Sequence, residues 1–152
     1  MSHELFIYGM IDAGEFKIDG VYNAHHELNQ NTISNLPTKK EIWENKKYGY
    51  VFRDIFHCVQ PPSGFRSQVI HFGNSYKEST VELSGFIDDW LNEFEKVLNK
   101  LFAFGAIAHI ETELGGSYKY EWVIAEGDNG LYDSPPTPPQ YVRSGGKIKE
   151  NG

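Results

Sequence analysis

Between residues 84 and 104 the apolar side chains Phe86, Ile87, Trp90, Leu91, Phe94, Val97, Leu98, Leu101 and Phe102 recur three and four positions apart. That spacing sets them on one stripe of an α-helix. Asp88, Asp89, Glu93 and Glu95 fall in the first half and Lys96 and Lys100 in the second, an order that complements the helix dipole. With Ser84 as N-cap and Gly105 just past the end, the segment predicts a long amphipathic helix of about 30 Å at ~1.5 Å per residue. So wide an apolar stripe has to be buried against another layer, and the rest of the chain must supply it.

Strand-like runs do so. Residues 106–114 and 117–125 flank Gly115-Gly116, whose freedom to take positive φ predicts a two-residue hairpin turn. Residues 48–59 and 65–72 are rich in β-branched and aromatic side chains and are separated by Gln60-Pro61-Pro62-Ser63-Gly64, which predicts a second hairpin. Residues 76–83 read either as a further strand or, through Ser79-x-x-Glu82, as a capping box that starts the helix early. Near the N-terminus a strand at 5–12 pairs in this reading with one at 15–22 across Ala13-Gly14, and residues 23–35 form a polar stretch. Thr38-x-x-Glu41 caps a short helix through about Lys47, with Ile42 and Trp43 on its buried side.

Four prolines among residues 135–139 impose polyproline II and end the folded region in this reading, leaving a Pro/Gly-rich flexible tail over 135–152. The expected architecture is a single α+β domain over residues 1–134: an antiparallel sheet of about 5–6 strands, one face covered by the long helix, with a short helix beside it. A ferredoxin-like arrangement is compatible with this order and is not required by it.

The chain has 152 residues, enough to bury a core without staples. One cysteine, Cys58, forms no internal disulfide, which points to a reducing compartment. Met1-Ser2-His3-Glu4 lacks the basic start and apolar region of a secretory leader, and no run approaches the ~18 apolar residues of a membrane span. A cytoplasmic, membrane-free protein is expected. The formal net charge is −7, which argues against a phosphate-binding surface and so against a nucleic-acid partner. Residues 135–152 hold Arg143, Lys147 and Lys149 against Glu150, a net of +2, so the preceding body carries −7 minus 2, or −9. Such a field favours a basic partner, and it also keeps a protein dissolved.

Catalytic patterns are sparse. His57 and Cys58 are neighbours on a predicted strand and point to opposite faces, so they cannot act as base and nucleophile together. His3, His25, His26, His57, His71 and His109 match no metal-binding spacing, and no metal or cofactor is expected. His25-His26-Glu27 would supply at most one ligand from a solvated loop. Phosphate-cradling and nucleophile-elbow motifs are missing. The proline segment satisfies P-x-x-P twice, a pattern that serves as a rigid spacer or docks in aromatic grooves.

The closing hairpin carries more. A two-residue turn would set Glu113 opposite Tyr118, Glu111 opposite Tyr120 and His109 opposite Trp122, giving one face of acids and rings. Tyr120 and Trp122 are large enough to belong to the core instead. As an exposed surface, this face would suit a cationic protein. With Asp88, Asp89 and Glu93 of the long helix, the residues Glu111, Glu113, Tyr118, Tyr120 and Trp122 form the candidate partner-binding set. The function expected from them is that of an immunity-type inhibitor neutralising a basic toxin or nuclease. The alternative is an enzyme or small-ligand domain with a pocket between sheet and helix, using His57, His71, Glu111 and Tyr120. A structural subunit is a third reading.

Overall fold

The computed structural model describes residues 3–15, 21–45, 49–59, 67–78, 83–113, 115–133 and 135–148. Six strands form one sheet: β1 (His3–Glu15), β2 (Phe56–Val59), β3 (Ser67–Glu78), β4 (Gly105–Thr112), β5 (Ser117–Ile124) and β6 (Tyr141–Lys147). The described helices are α1 (Val21–Ser34), α2 (Lys39–Glu44) and α3 (Leu83–Leu98). Strand order is β2-β3-β1-β4-β5-β6, with every neighbouring pair antiparallel. The class is α+β. β1 and β2 run the same way with β3 between them, and β3 and β4 run the same way with β1 between them.

Alternation along the strands decides what is buried. Leu5, Ile7 and Ile11 of β1, Ile70 and Phe72 of β3, and Ala106, Ala108 and Ile110 of β4 all lie in the core. Over them α3 lays Phe86, Ile87, Trp90, Leu91, Phe94, Val97 and Leu98, the stripe its spacing implies. Phe94 is the hub: its ring centroid lies 4.8 Å from that of Phe72 and 4.9 Å from those of Trp90 and Trp122. Gly9 makes room for this stack, because a Cβ there would run into the Ile107 carbonyl and lie 2.7 Å from the Phe72 ring.

The helix starts at Leu83, so Ser84 lies inside it, and it ends at Leu98 rather than reaching Phe104. Leu101, Phe102 and Ala103 continue the buried surface in a turn. Two side chains satisfy their backbone. Asn29 donates to the Phe102 carbonyl at 2.9 Å and accepts from the Phe102 N–H at 2.7 Å. The Tyr141 hydroxyl accepts from the Ala103 N–H at 2.9 Å and donates to the Leu101 carbonyl at 2.7 Å. Gly105 opens β4 and is no helix terminator.

The stretch expected as a polar loop at 23–35 is instead mostly helix α1. His25, Asn29 and Ile33, four residues apart, are buried, as is His26, and a helix that buries polar side chains gives no apolar stripe to read. β1 continues through Ala13 and Gly14 to Glu15, so no turn forms there; of the partner strand expected at 15–22, residues 16–20 lie outside the described residues and Val21 begins α1. Thr38 caps α2 as expected, accepting from the Glu41 N–H at 3.1 Å. Trp43, however, is 82% exposed and does not form a buried side.

Of the described residues in the expected strand at 48–59, residues 56–59 join the sheet; Arg53–Ile55 is a 3-10 turn. The turn at 60–64 and the capping box at 79–82 lie outside the described residues. The expected tail is the largest correction. Residues 141–147 pair with β5 along their length. The prolines lead into this strand: Thr137 donates its N–H to the Gly130 carbonyl and Gln140 its N–H to Asp128, which folds the segment back onto the preceding loop.

Candidate functional site

The closing hairpin does not take the two-residue turn. Glu111 pairs with Ser117 and Ala108 with Tyr120, whereas Glu111 was expected opposite Tyr120, a shift of 120 minus 117, three positions. Thr112 closes the longer loop. Its N–H and hydroxyl both donate to the Gly116 carbonyl, at 3.1 and 2.6 Å, its hydroxyl accepts from the Gly115 N–H at 2.8 Å, and Gly116 takes φ 83°. An odd shift exchanges the faces, so Tyr118, Tyr120 and Trp122 lie with Ala106, Ala108 and Ile110 on the side that α3 covers.

The expected acidic and aromatic surface is therefore divided. Trp122 is 1% exposed, its ring against Phe94 and its indole N–H donating to Glu95 at 3.0 Å. Glu95 also holds Arg143 at 3.1 Å. Glu93 is committed as well: its carboxylate accepts the Tyr50 N–H at 2.8 Å and the Val51 N–H at 3.4 Å. Burial raises its pKa against the lowering effect of those two bonds. Trp122 and Glu93, both in the expected partner-binding set, thus use their polar atoms within the fold.

Asp88 and Asp89 stay exposed on α3, and Glu113 is exposed in the hairpin loop. Tyr118 and Tyr120 are half-buried at the border of the core. Burial raises the Tyr120 pKa, Arg143 opposes the rise, and Asp88 adds to it; Asp88, Tyr120 and Arg143 thus gather beside the helix. The four residues of the pocket reading do not converge. His57 and His71 are cross-strand partners on the uncovered face, Glu111 lies on that face beyond β1, and Tyr120 faces the other way. Cys58 lies on the covered side opposite Ile70, where burial pushes its thiol pKa up. Among the described residues no group of three or more His, Cys, Asp or Glu side chains could hold a metal ion, and no helix is long and apolar enough to cross a membrane.

The uncovered face of the sheet is the site that the pairing assembles. At its centre on β1, Phe6 is 47% and Tyr8 46% exposed. The Tyr8 ring stacks on His109 with centroids 5.2 Å apart. Met10 lies between His71 on β3 and Ile107 on β4. Carboxylates surround these rings: Glu111 is across from Phe6 and accepts from the Ser117 hydroxyl, Glu4 is opposite Lys77, and Glu121 pairs with Lys119 at 3.0 Å. With Asp12, four carboxylates share the face with the two ammonium groups of Lys77 and Lys119.

Sequence reasoning found Glu111 and missed Phe6 and Tyr8. The run Leu5-Phe6-Ile7-Tyr8 is apolar at every position and so looks buried on both sides; only the placement of the helices reveals which half is open. No protein-family model, curated protein or solved structure matches the chain.

Proposed function

We propose that the chain is a stoichiometric binding protein, an immunity-type inhibitor of the cytoplasm that neutralises a basic toxin or nuclease by covering it. The observation that carries this reading is the open sheet face, where half-exposed Phe6 and Tyr8 sit within a surround of Glu4, Asp12, Glu111 and Glu121. Exposed rings that cluster at the middle of a patch are the usual energetic anchors of protein interfaces, and a surround with carboxylates in excess of ammonium groups steers a partner of the opposite sign. A chain of net charge −7 extends the attraction over the whole approach. Phosphate groups would meet more carboxylate than ammonium on this face, so nucleic acid is the poorer fit. Asp88, Asp89 and Glu113, on other surfaces, add to the field without touching the anchor.

The reading extends to the fold. The order β2-β3-β1-β4, with α1 between β1 and β2 and α3 between β3 and β4, supports a ferredoxin-like βαββαβ unit extended by β5 and β6. In this unit the helices share one face of the sheet and the other is left for binding. The lone Cys58 supports a reducing cytoplasmic setting.

The test is affinity capture from the native cell with the wild type and with the double variant Tyr8→Ser/Glu111→Lys, at low and high salt. The expected result is a basic protein bound one to one, released by salt, and captured at least about tenfold less by the variant, as loss of a ring anchor and reversal of a charge imply. An acidic partner, or capture indifferent to both substitutions, would sink the proposal. Unchanged thermal melting of the variant secures the comparison.

A further inference from the structure

A second recognition element lies at the edge of the sheet, away from the centre of the open face. β1 pairs with β3 as far as Glu78, whereas β2 pairs only with residues 69–72. Beyond Phe72 the outer edge of β3 therefore carries no strand among the described residues. A cavity of about 890 Å³ lies along that edge, walled by Ser75, Tyr76 and Lys77 of β3 and by Lys39, Ile42 and Trp43 of α2. Its volume falls within the range of sites that enclose a ligand.

Hydrogen bonds tie both walls to the fold. The Tyr76 hydroxyl donates to the Tyr50 carbonyl at 2.6 Å and accepts from the Trp90 indole N–H at 3.1 Å. On the other side Ile42 packs partly against the core, and α2 has no fully buried residue. It is fixed by polar contacts at its base: the Arg53 N–H donates to the Pro37 carbonyl at 2.9 Å, its Nε to the Leu36 carbonyl at 3.1 Å, and the Lys39 N–H to Asp54 at 3.3 Å. A short helix anchored this way, with its one indole 82% in water, presents an apolar side chain without needing it for its own packing. The wall is also basic in an acidic chain. Lys39, Lys77 and Glu4 line it, a net of +1, and since Glu4 lies across from Lys77, the excess positive charge is at the Lys39 end.

We infer that this groove takes an extended peptide segment, apolar and acidic in character, as an added strand on the free edge of β3. The edge supplies main-chain donors and acceptors. Alternate side chains of the peptide then face Ile42 and Trp43, where a branched apolar residue fits, and a glutamate or aspartate near the end of the groove meets Lys39. Residues 73–78 would span about 20 Å at ~3.3 Å per residue, so the occupant is a segment of about six residues. Its charge is opposite to that of the partner proposed for the open face, and the two sites share only Glu4, Ser75 and Lys77 at their border.

Trp43 makes the test direct. It is 82% exposed, while Trp90 and Trp122 are 0% and 1% exposed, so acrylamide quenching of tryptophan emission reports on Trp43. The probes are end-blocked eight-residue peptides of alternating valine and threonine with one leucine moved through each position and two glutamates, alongside the same panel with lysine for glutamate. The expected result is saturable protection of Trp43 by glutamate peptides and at least about tenfold weaker binding of lysine peptides. N-methylating alternate peptide residues in one register should weaken binding about tenfold, while the other register leaves it intact, because an added strand bonds its neighbour only through every second residue. Lys39→Glu should invert the preference, and the open-face variant Tyr8→Ser should leave peptide binding unchanged. Absence of saturable protection across the panel, or equal effects of the two methylation registers, overturns the inference.

Discussion

The two faces of the sheet hold aromatic rings in opposite ways. Beneath α3, the rings of Phe72, Trp90, Phe94 and Trp122 lie in one continuous stack, and both indoles use their N–H groups, Trp90 on Tyr76 and Trp122 on Glu95. On the open face Phe6 and Tyr8 keep nearly half their surface in water, with His109 stacked on Tyr8. An enclosed ring gains its full transfer free energy and its packing contacts, whereas a half-exposed ring gains little until something covers it. The sharpest way to break the contrast is Trp122→Ala. It empties the end of the stack and removes the donor to Glu95, and it should cost about 3–5 kcal/mol in urea denaturation. A loss below about 1 kcal/mol would show that the stack is not the core.

The carboxylates divide in the same way, and the next largest effect belongs to Glu93. Its oxygen is the acceptor for the N–H groups of Tyr50 and Val51, so Glu93→Ala leaves both without their partner and should cost about 1–3 kcal/mol. Glu93→Gln keeps an acceptor and removes a charge that burial disfavours. Because burial raises the folded-state pKa of Glu93 above its ordinary 4.5, the folded protein holds that proton more tightly than the unfolded chain. Stability contributed by the protonated form is thus lost as pH rises from 4.5 through the raised value. The Gln variant should flatten this part of the stability profile and match or exceed the wild type at pH 7. A Gln variant as weak as the Ala variant would deny the carboxylate its role as acceptor.

The same division explains what the sequence could reveal. The stripe from Phe86 to Leu98 was legible because every third or fourth residue is apolar and packs on one surface. Leu101 and Phe102 extended the pattern in sequence but not in conformation: they are buried in a turn whose backbone is satisfied by Asn29 and Tyr141, 73 and 40 positions away from the groups they bond. Long-range polar partners of this kind leave no local trace. Nor does α1, which docks through His25, His26 and Asn29. β6 was hidden by the prolines that precede it and the two glycines within it. Arg143, taken as part of a separate basic tail, is in fact bonded to Glu95 and lies with its guanidinium 6.0 Å from the Tyr120 ring centre. The body and tail therefore share one charge distribution. The hairpin register turned on Thr112, whose hydroxyl sets the loop and thereby decides which face receives Trp122.

His25 gives a smaller effect, tied to pH. Its ring stacks on Phe102 at 4.9 Å, and burial pushes its pKa below 6.5 against the opposing hydrogen bond to the Leu131 backbone. Between the lowered folded value and 6.5 the unfolded chain binds more protons. The stability that the neutral ring contributes is therefore fully present above pH 6.5 and lost as pH falls through the folded value. Melting curves recorded from pH 7.5 downward should show this decline, and His25→Phe, which keeps the stacking on Phe102, should lessen it. An unchanged slope in the variant would assign the decline to other groups.

The smallest stability effect is expected where the binding effect is greatest. Phe6→Ser and Tyr8→Ser each remove a ring that the fold leaves half in water, and the loss of half a ring's burial and its cross-strand contacts should move stability by no more than about 1 kcal/mol. Serine also keeps a strand-compatible backbone and a hydroxyl that water can serve. If either change instead lowered stability by 2 kcal/mol or more, the rings would be structural and the open face would lose its claim as a docking surface. If both variants melt with the wild type, the question passes to the partner. A ring that the fold can lose at little cost, placed at the centre of the sheet among carboxylates, has its larger energetic consequence when a second molecule excludes the water from it.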